Sequence, residues 1–300
     1  MKLLIAIDGS KHSEYVLEMA NNLPGLSGAT AILVHVNMPL PEPPVPFPDV
    51  FVEEDLLLRA RIEDEHETRS ANRLKAARAA LPKDWNVVIE PRVGHPPKEI
   101  LDAISTHQVD LAILGALGMD ETLRVPLGSV SQKVGRYADC PVLVVRESGT
   151  RPSRALVALD RGPGDEAVLE YVERAPWLSG CAMTLTHVVE DRYLAESRVA
   201  VSQFAGSGNY LDRLQKALLT DGQAFVDDVA GRLRASGLSV DTLVLEGNPA
   251  TVLSDRGLGF DLVVMGAKGA HGLGRFLLGS TSQKVLRNAP TSVLLVKPPP

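Results

Sequence analysis

Short apolar runs alternate with longer amphipathic stretches along this 300-residue chain. The first run, LLIAI at 3–7, is apolar at consecutive positions, which is typical of a strand buried on both faces of a parallel sheet. A stretch with helical spacing follows at 13–23, and another apolar run lies at 31–36. Strands separated by helices predict a parallel sheet with helices on both faces. The Pro-rich stretch at 38–48 predicts a loop without regular structure.

The whole alternation occurs twice. Residues 2–10 correspond to 154–162, and residues 109–118 correspond to 260–269. The offset stays between 151 and 153 residues for every matching pair of segments. Self-similarity at this length indicates that one domain has been duplicated in tandem.

The polar stretch ESGTRPS at 147–153 contains Gly and Pro and predicts a linker between the repeats. We therefore expect one domain at residues 1–147 and a second at residues 152–300. Each contains five predicted strands and one long helix, at about residues 53–80 and 209–236 respectively.

Composition sets the class of protein. Hydrophobic content of 45% and charged content of 23% are those of a soluble globular protein, and no apolar run reaches the ~18 residues of a membrane helix. A net charge of −6 gives a nucleic-acid partner no electrostatic support. The two cysteines, Cys140 and Cys181, lie far apart, which argues against a disulfide framework or a zinc site and favours a reducing, cytoplasmic location.

A glycine pattern follows the fourth predicted strand of each repeat: Gly-x-x-Gly, nine residues, then Gly-Ser. Glycines after a buried strand let backbone N–H groups come close to an anion, and the Gly-Ser pair predicts a helix start, which attracts phosphate. The pattern predicts a phosphate cradle, although tight strand-to-loop turns alone would also explain the glycines. The two copies are Gly115, Gly118, Gly128 and Ser129, and Gly266, Gly269, Gly279 and Ser280.

The ends of strands one and four are expected to face each other. In an open doubly wound sheet, ligands bind where the strand order reverses, which for the order 3-2-1-4-5 lies between these two strands. Asp8 and Gly115 would then meet across the crevice, as would Asp160 and Gly266. An Asp at the end of a strand can equally cap the next helix, so both roles remain open.

These residues carry a family resemblance. IAIDGS, LVHV, DLAILGALG-x9-GSVSQKV and PVLVV resemble the universal stress protein family, and the second half repeats the series. The glycine element is the one that distinguishes ATP-binding members of that family. The resemblance implies two tandem five-stranded, parallel, doubly wound α/β domains (adenine nucleotide alpha hydrolase-like, strand order 3-2-1-4-5). It also implies that their last strands pair, so that one chain forms a pseudo-dimer, with a homodimer of chains as a further option.

The resemblance also implies which residues contact ATP, with Mg²⁺ as a plausible companion that neutralises phosphate charge. Residues ending strands one, two and four would surround the adenosine: Ala6, Asp8, Val36 and Gly115, and in the second repeat Ala158, Asp160, Val188 and Gly266. Residues of the glycine loop and the next helix start would hold the phosphates: Gly118, Gly128, Ser129 and Val130, and in the second repeat Lys268, Gly269, Gly279, Ser280 and Thr281.

The two glycine loops differ in charge. The second carries Lys268, His271 and Arg275, whereas the first carries Asp120 and Glu121. Carboxylates beside a triphosphate are unfavourable, so the loops predict tighter ATP binding by the second repeat. Strand one favours the opposite ranking, because IDGS in the first repeat matches the family and LDRGPG in the second does not. We predict that both repeats bind nucleotide and that the second binds ATP more tightly.

Three function classes fit the sequence: an ATP-binding stress-response or regulatory protein, a slow ATPase or phosphotransferase, and a structural module with one degenerate nucleotide site. The lack of a Walker lysine and of an evident general base argues against fast turnover. His35 and His187 occupy the same place in strand two of each repeat, where a core histidine satisfied by a neighbour is expected rather than a catalytic base.

Overall fold

The computed structural model describes residues 1–41, 49–118, 127–146, 150–190, 208–267 and 278–298. The strands of the first repeat are β1 (Lys2–Ala6), β2 (Thr30–Asn37), β3 (Asn86–Val93), β4 (Leu111–Gly115) and β5 (Val142–Val145). Those of the second are β6 (Arg154–Leu159), β7 (Ala182–Val189), β8 (Val240–Glu246), β9 (Leu262–Gly266) and β10 (Ser292–Val296).

Helices connect the strands in each repeat. In the first they are α1 (Lys11–Asn22), α2 (Asp49–Ala80), α3 (Pro96–His107) and α4 (Ser129–Tyr137). In the second they are α5 (Asp165–Arg174), α6 (Gly208–Ala235), α7 (Pro249–Gly257) and α8 (Ser280–Asn288), with a short 3₁₀ turn at Pro176–Leu178. Pro at the first helical position begins both α3 and α7, because its fixed φ suits a helix start and its missing N–H costs nothing there.

All ten strands form one sheet, in the order β3-β2-β1-β4-β5-β10-β9-β6-β7-β8. Pairing is parallel within each repeat and antiparallel only where β5 meets β10. Each repeat therefore has the predicted order 3-2-1-4-5, which confirms the expected fold class. The central strands are buried on both faces, as the unbroken apolar run LLIAI predicted.

Two hydrophobic cores lie on opposite faces of this sheet. Leu3 and Ile5 of β1 face one core with α1 and α2, while Leu4 faces the other core with α3 and α4. The alternation of adjacent side chains across the strand explains this division. Each core also contains buried residues from the second repeat, such as Leu294 in one and Leu295 in the other. The two repeats thus share both cores.

Two basic side chains, one from each repeat, form hydrogen bonds across the junction in an approximately twofold-symmetric arrangement. Arg146, just beyond β5, donates to the carbonyls of Leu286 (2.5 Å) and Arg287 (2.9 Å) at the end of α8. Lys297, just beyond β10, donates to the carbonyl of Arg136 near the end of α4 (3.1 Å). A cation at a helix C-terminus satisfies otherwise unpaired carbonyls and opposes the helix dipole. The last strand of each repeat therefore anchors the last helix of the other.

Some expectations fall outside the described residues. The Pro-rich loop is described only as far as residue 41, and residues 147–149 of the predicted linker are not described. Cys140 and Cys181 are both buried free thiols. Among the helices that the structure describes, none is long and apolar enough to cross a bilayer.

We predict that Arg146→Met lowers the free energy of unfolding by about 2 kcal/mol, because two helix-end carbonyls lose a charged donor. Urea denaturation followed by circular dichroism measures this change. The matched control is Lys284→Met, which removes one exposed positive charge from α8, the helix whose carbonyls Arg146 contacts. An equal effect of both substitutions would mean that the lost charge, rather than the junction, sets the stability.

Candidate nucleotide cleft

A cleft of about 380 Å³ opens at the carboxyl edge of the sheet, where β1 and β4 diverge. This volume lies within the ~300–1,000 Å³ range of small-molecule sites. The sheet therefore has its cavity at the point where the strand order reverses. All eight residues predicted for the first repeat line it: Ala6, Asp8, Val36, Gly115, Gly118, Gly128, Ser129 and Val130.

Asp8 has a different role for each carboxylate oxygen. Its Oδ1 accepts hydrogen bonds from the Ser10 N–H (2.9 Å) and the Ser13 hydroxyl (2.7 Å), which fastens the start of α1. Its Oδ2 faces Gly118, where an added Cβ would lie only 2.9 Å away. The N-cap of α1 is Ser10, whose hydroxyl accepts the Ser13 N–H (3.3 Å), so Asp8 supports the cap rather than forming it. The second oxygen of Asp8 is directed across the crevice toward the glycine loop.

Neighbouring atoms lie so close to Gly115 and Gly118 that a side chain would not fit at either position. A Cβ on Gly115 would meet the Cβ of His12 at 2.7 Å, so a larger residue there would displace α1. The Ser131 hydroxyl donates to the Gly115 carbonyl (2.5 Å), and the Gly128 N–H donates to the Ala116 carbonyl (2.7 Å). These bonds hold the start of α4 against the end of β4.

The start of α4 opens onto the cleft. Gly128 is its N-cap residue and supplies no side-chain cap, and Ser129 and Val130 of the first turn line the cavity. First-turn N–H groups have no partner within the helix, and the helix dipole adds a partial positive charge. The arrangement suits a phosphate group.

His35 is buried and bonded, as predicted for a core histidine. Its Nδ1 lies 2.8 Å from the Ile7 carbonyl, so Nδ1 carries the proton and Nε2 is the acceptor. Arg73 of α2 approaches Nε2 at 3.4 Å through Nη1. Burial lowers the pKa of His35, and the nearby guanidinium adds to the shift. In the second repeat the Nδ1 of His187 is likewise 3.0 Å from the Leu159 carbonyl.

One wall of the cleft was not anticipated from the sequence. His66, Arg69 and Arg73 of α2 all line the cavity. These three have the spacing i, i+3, i+7, which places them on one face of a helix. That spacing is visible in the sequence, but the face that α2 turns toward the crevice depends on its packing against the sheet.

The second repeat preserves the frame of this site. Gly279 is the N-cap of α8, its N–H donates to Ala267 (2.8 Å), and the Ser282 hydroxyl donates to the Gly266 carbonyl (2.8 Å). The remaining described residues predicted for this repeat occupy the same places as their first-repeat counterparts: Ala158, Asp160, Val188, Ser280 and Thr281. Other residues of the two glycine loops lie outside the described residues: Lys268, Gly269, His271, Arg275, Asp120 and Glu121.

The guanidinium beside the end of strand one comes from a different position in each repeat. In the first repeat, a Cβ on Gly9 would lie 2.6 Å from Nε of Arg73. The same positions 152 residues later hold Arg161 and Phe225. Arg161 takes a left-handed φ of 62°, lies 4.8 Å over the Phe225 ring and pairs with Asp221 at 2.6 Å. The arginine therefore comes from the helix in one repeat and from the strand-one loop in the other.

The second repeat has two neighbouring carboxylates at the end of strand one, those of Asp160 and Asp165. Asp165 replaces Ser13, and it accepts the N–H groups of Asp160 (3.2 Å) and Arg161 (2.8 Å), as the Ser13 hydroxyl does for Asp8 and Gly9. Burial, with the neighbouring Asp160 carboxylate, raises the pKa of Asp165 to about 6. Two acidic groups thus lie where the first repeat has one.

Within the described ranges, His, Cys, Asp and Glu form no cluster of three or more that could hold a metal ion. The site is defined instead by backbone N–H groups, a helix start and one carboxylate. Together with the sheet order, these features define a tandem, doubly wound α/β protein with a cleft at the switch point.

Comparison with known proteins identifies the family. The chain matches the universal stress protein family over residues 1–146 and again over residues 152–297, and it belongs to that family. A universal stress protein of Mycobacterium tuberculosis is 26% identical over 98% of this chain and 96% of its own. The crystal structure of a universal stress protein from Archaeoglobus fulgidus superposes with a TM-score of 0.62, at 22% identity, over 99% of this chain and 96% of its own.

A further member of the family has been crystallised in complex with cAMP. It is 21% identical, covers 49% of this chain and 96% of its own, and superposes with a TM-score of 0.31.

We predict that Asp165→Ser stabilises the protein at pH 7.5 and that the gain shrinks as the pH falls through 6 toward 4. The raised pKa means that the folded state holds a proton that the unfolded chain releases above about 3.8, so Asp165 destabilises the fold most at neutral pH. Thermal melts across this pH range measure the difference. Ser13→Asp, the reciprocal change, should lower the melting temperature at pH 7.5, and a pH-independent gain from Asp165→Ser would contradict the explanation.

Proposed function

We propose that this protein binds an adenine nucleotide, ATP in the first instance, as a stress-response or regulatory protein. The observation that carries the proposal is the cleft in which Asp8 faces Gly118 and the start of α4 opens beside them. Membership of the universal stress protein family supports it. The adenosine would lie against Ala6, Asp8 and Val36.

In this proposal the phosphates extend from Gly115 toward the glycine loop and the first turn of α4. Gly118, Gly128, Ser129 and Val130 would then contact them. Backbone N–H groups and a helix dipole provide this binding without a lysine. Mg²⁺ would enter as the counter-ion of the triphosphate, since the described residues offer no cluster for it.

The first repeat is proposed as the tighter site and the second as a weaker one. The described residues around the first cleft include Arg69 and Arg73 against one carboxylate, Asp8. The matching positions of the second repeat hold Asp160, Asp165 and Asp221, and its Arg161 is already paired with Asp221. Coulomb repulsion therefore disfavours an anionic ligand in the second repeat. This ranking reverses the one that the loop charges predicted.

Binding is proposed in preference to turnover. The imidazole of His35 uses Nδ1 on a backbone carbonyl, and burial favours its neutral form. Its Nε2 faces the Arg73 guanidinium, so this histidine is engaged in the wall of the cleft. Fast phosphoryl transfer also relies on a fixed metal and a residue that positions the nucleophile.

The ranking is tested by Gly128→Asp and Gly279→Asp. Both glycines are N-cap residues with extended backbone, a place where Asp is favourable, so the fold should persist while the new carboxylate repels phosphate. By calorimetric titration we expect Gly128→Asp to weaken the tighter ATP-binding step at least ~10-fold. Gly279→Asp should leave that step unchanged. Equal losses, or a larger loss from Gly279→Asp, would reverse the ranking.

The distinction between binding and turnover is tested on the purified wild-type protein. We expect mass spectrometry of the denatured protein to find an adenine nucleotide, and a phosphate-release assay with added ATP to show no release above a heat-denatured control. Phosphate release that is lost in Gly128→Asp would instead identify a slow ATPase. Failure to bind any adenine nucleotide would favour the structural module.

A further inference from the structure

The first cleft has features that attract anions on two opposite sides. The start of α4 lies on the side of the sheet where α3 and α4 pack, with Val134 in that core. His66, Arg69 and Arg73 belong to α2, whose Leu74 and Ala77 pack in the other core. Both sets line the same cavity. A single 5′-phosphate chain directed at α4 would leave the basic face of α2 without an anionic group of the ligand.

The fold does not require this basic face. Leu74 and Ala77 of α2 correspond to the buried Val226 and Val229 of α6, 152 residues later, so the two helices have the same register against the sheet. At the three positions that line the first cleft, α6 carries Leu218, Asp221 and Phe225. A hydrophobic and acidic face therefore serves the same packing against the sheet. The second repeat keeps a guanidinium beside the end of strand one through Arg161, but it has Asp221 in the place of Arg69.

The position of Arg73 indicates where the second anion lies. Its guanidinium is beside Gly9 at the end of β1 and beside His35 near the end of β2. The proposed function places the adenosine against these strand ends. Adenine has no anionic group, and the 5′ chain leaves toward α4, so the ribose 2′ and 3′ oxygens are the remaining points of attachment for a phosphoryl group.

Arg69 lies one turn from Arg73 and extends this face toward solvent. Its ion pair with Glu65 is long (3.8 Å) and exposed, so it is worth little and can yield to a phosphate. Guanidinium groups bind phosphate oxygens in a bidentate manner, which gives them the geometry that this contact needs.

We infer that the first cleft recognises an adenine nucleotide with a second phosphoryl group on the 2′ or 3′ oxygen of its ribose. Arg69 and Arg73 bind that group while the start of α4 binds the 5′-phosphate. This inference rests on the proposed function, and it adds a substrate class that ATP itself does not represent.

The test compares adenosine 3′,5′-bisphosphate and adenosine 2′,5′-bisphosphate with AMP and ADP by calorimetric titration. ADP has the same number of phosphoryl groups but carries both at the 5′ position, so it separates the placement of the phosphoryl groups from their number. We expect one of the two bisphosphates to bind at least ~10-fold more tightly than either AMP or ADP, and the preferred isomer identifies the oxygen.

Variants locate the effect. Arg69→Gln should lower the affinity ratio of the preferred bisphosphate to AMP about 10-fold, and Arg73→Phe, which introduces the residue that α6 has at this place, should do the same. Lys75→Gln, an exposed charge change on α2 outside the cleft, should leave the ratio intact. If ATP binds but neither bisphosphate exceeds AMP and ADP, the inference fails alone. If no adenine nucleotide binds, the proposed function fails with it.

Discussion

The reversal of strand order beside β1 is the constraint on which the rest of this structure depends. β1 pairs in parallel with β2 on one side and with β4 on the other, so the crossovers leave toward opposite faces of the sheet. Neither face covers the carboxyl edge between β1 and β4, and the cleft occupies that gap. Asp8, the glycine loop and the start of α4 face one another because they follow these two strands. The sheet topology therefore determines which residues meet in the cleft, and the side chains at those positions determine its chemistry.

Much of this could be predicted from the sequence, for identifiable reasons. The placement of strands and helices followed from apolar runs and helical spacing, which are local signals. The strand order, on which the grouping of Asp8 with Gly115 and Gly118 depends, was implied by the family resemblance. The wall formed by Arg69 and Arg73 did not, because the orientation of α2 is set by long-range packing of Leu74 and Leu81. The exchange of Gly9 and Arg73 for Arg161 and Phe225 was also missed. It becomes apparent only when two positions far apart in sequence are known to touch.

The internal duplication provides a comparison within one molecule. The same hydrogen bonds recur in both repeats, from the serine that joins the helix start to strand four to the histidine that bonds the end of strand one. The described side chains around the two crevices differ in charge, with Arg69 in the first repeat where the second has Asp221. The two repeats therefore share the contacts that join the ends of the strands to the helices and differ in the side chains around the crevice.

The two shared cores have a thermodynamic consequence. Because each core draws residues from both repeats across the β5–β10 junction, neither half can unfold without exposing apolar surface of the other. A ligand that occupies one cleft therefore stabilises the whole sheet by mass action. The second repeat, whose pocket is acidic, can thus be stabilised by a ligand that is bound in the first repeat. The second repeat does not need a ligand of its own to stay folded, so its pocket can change without loss of the fold.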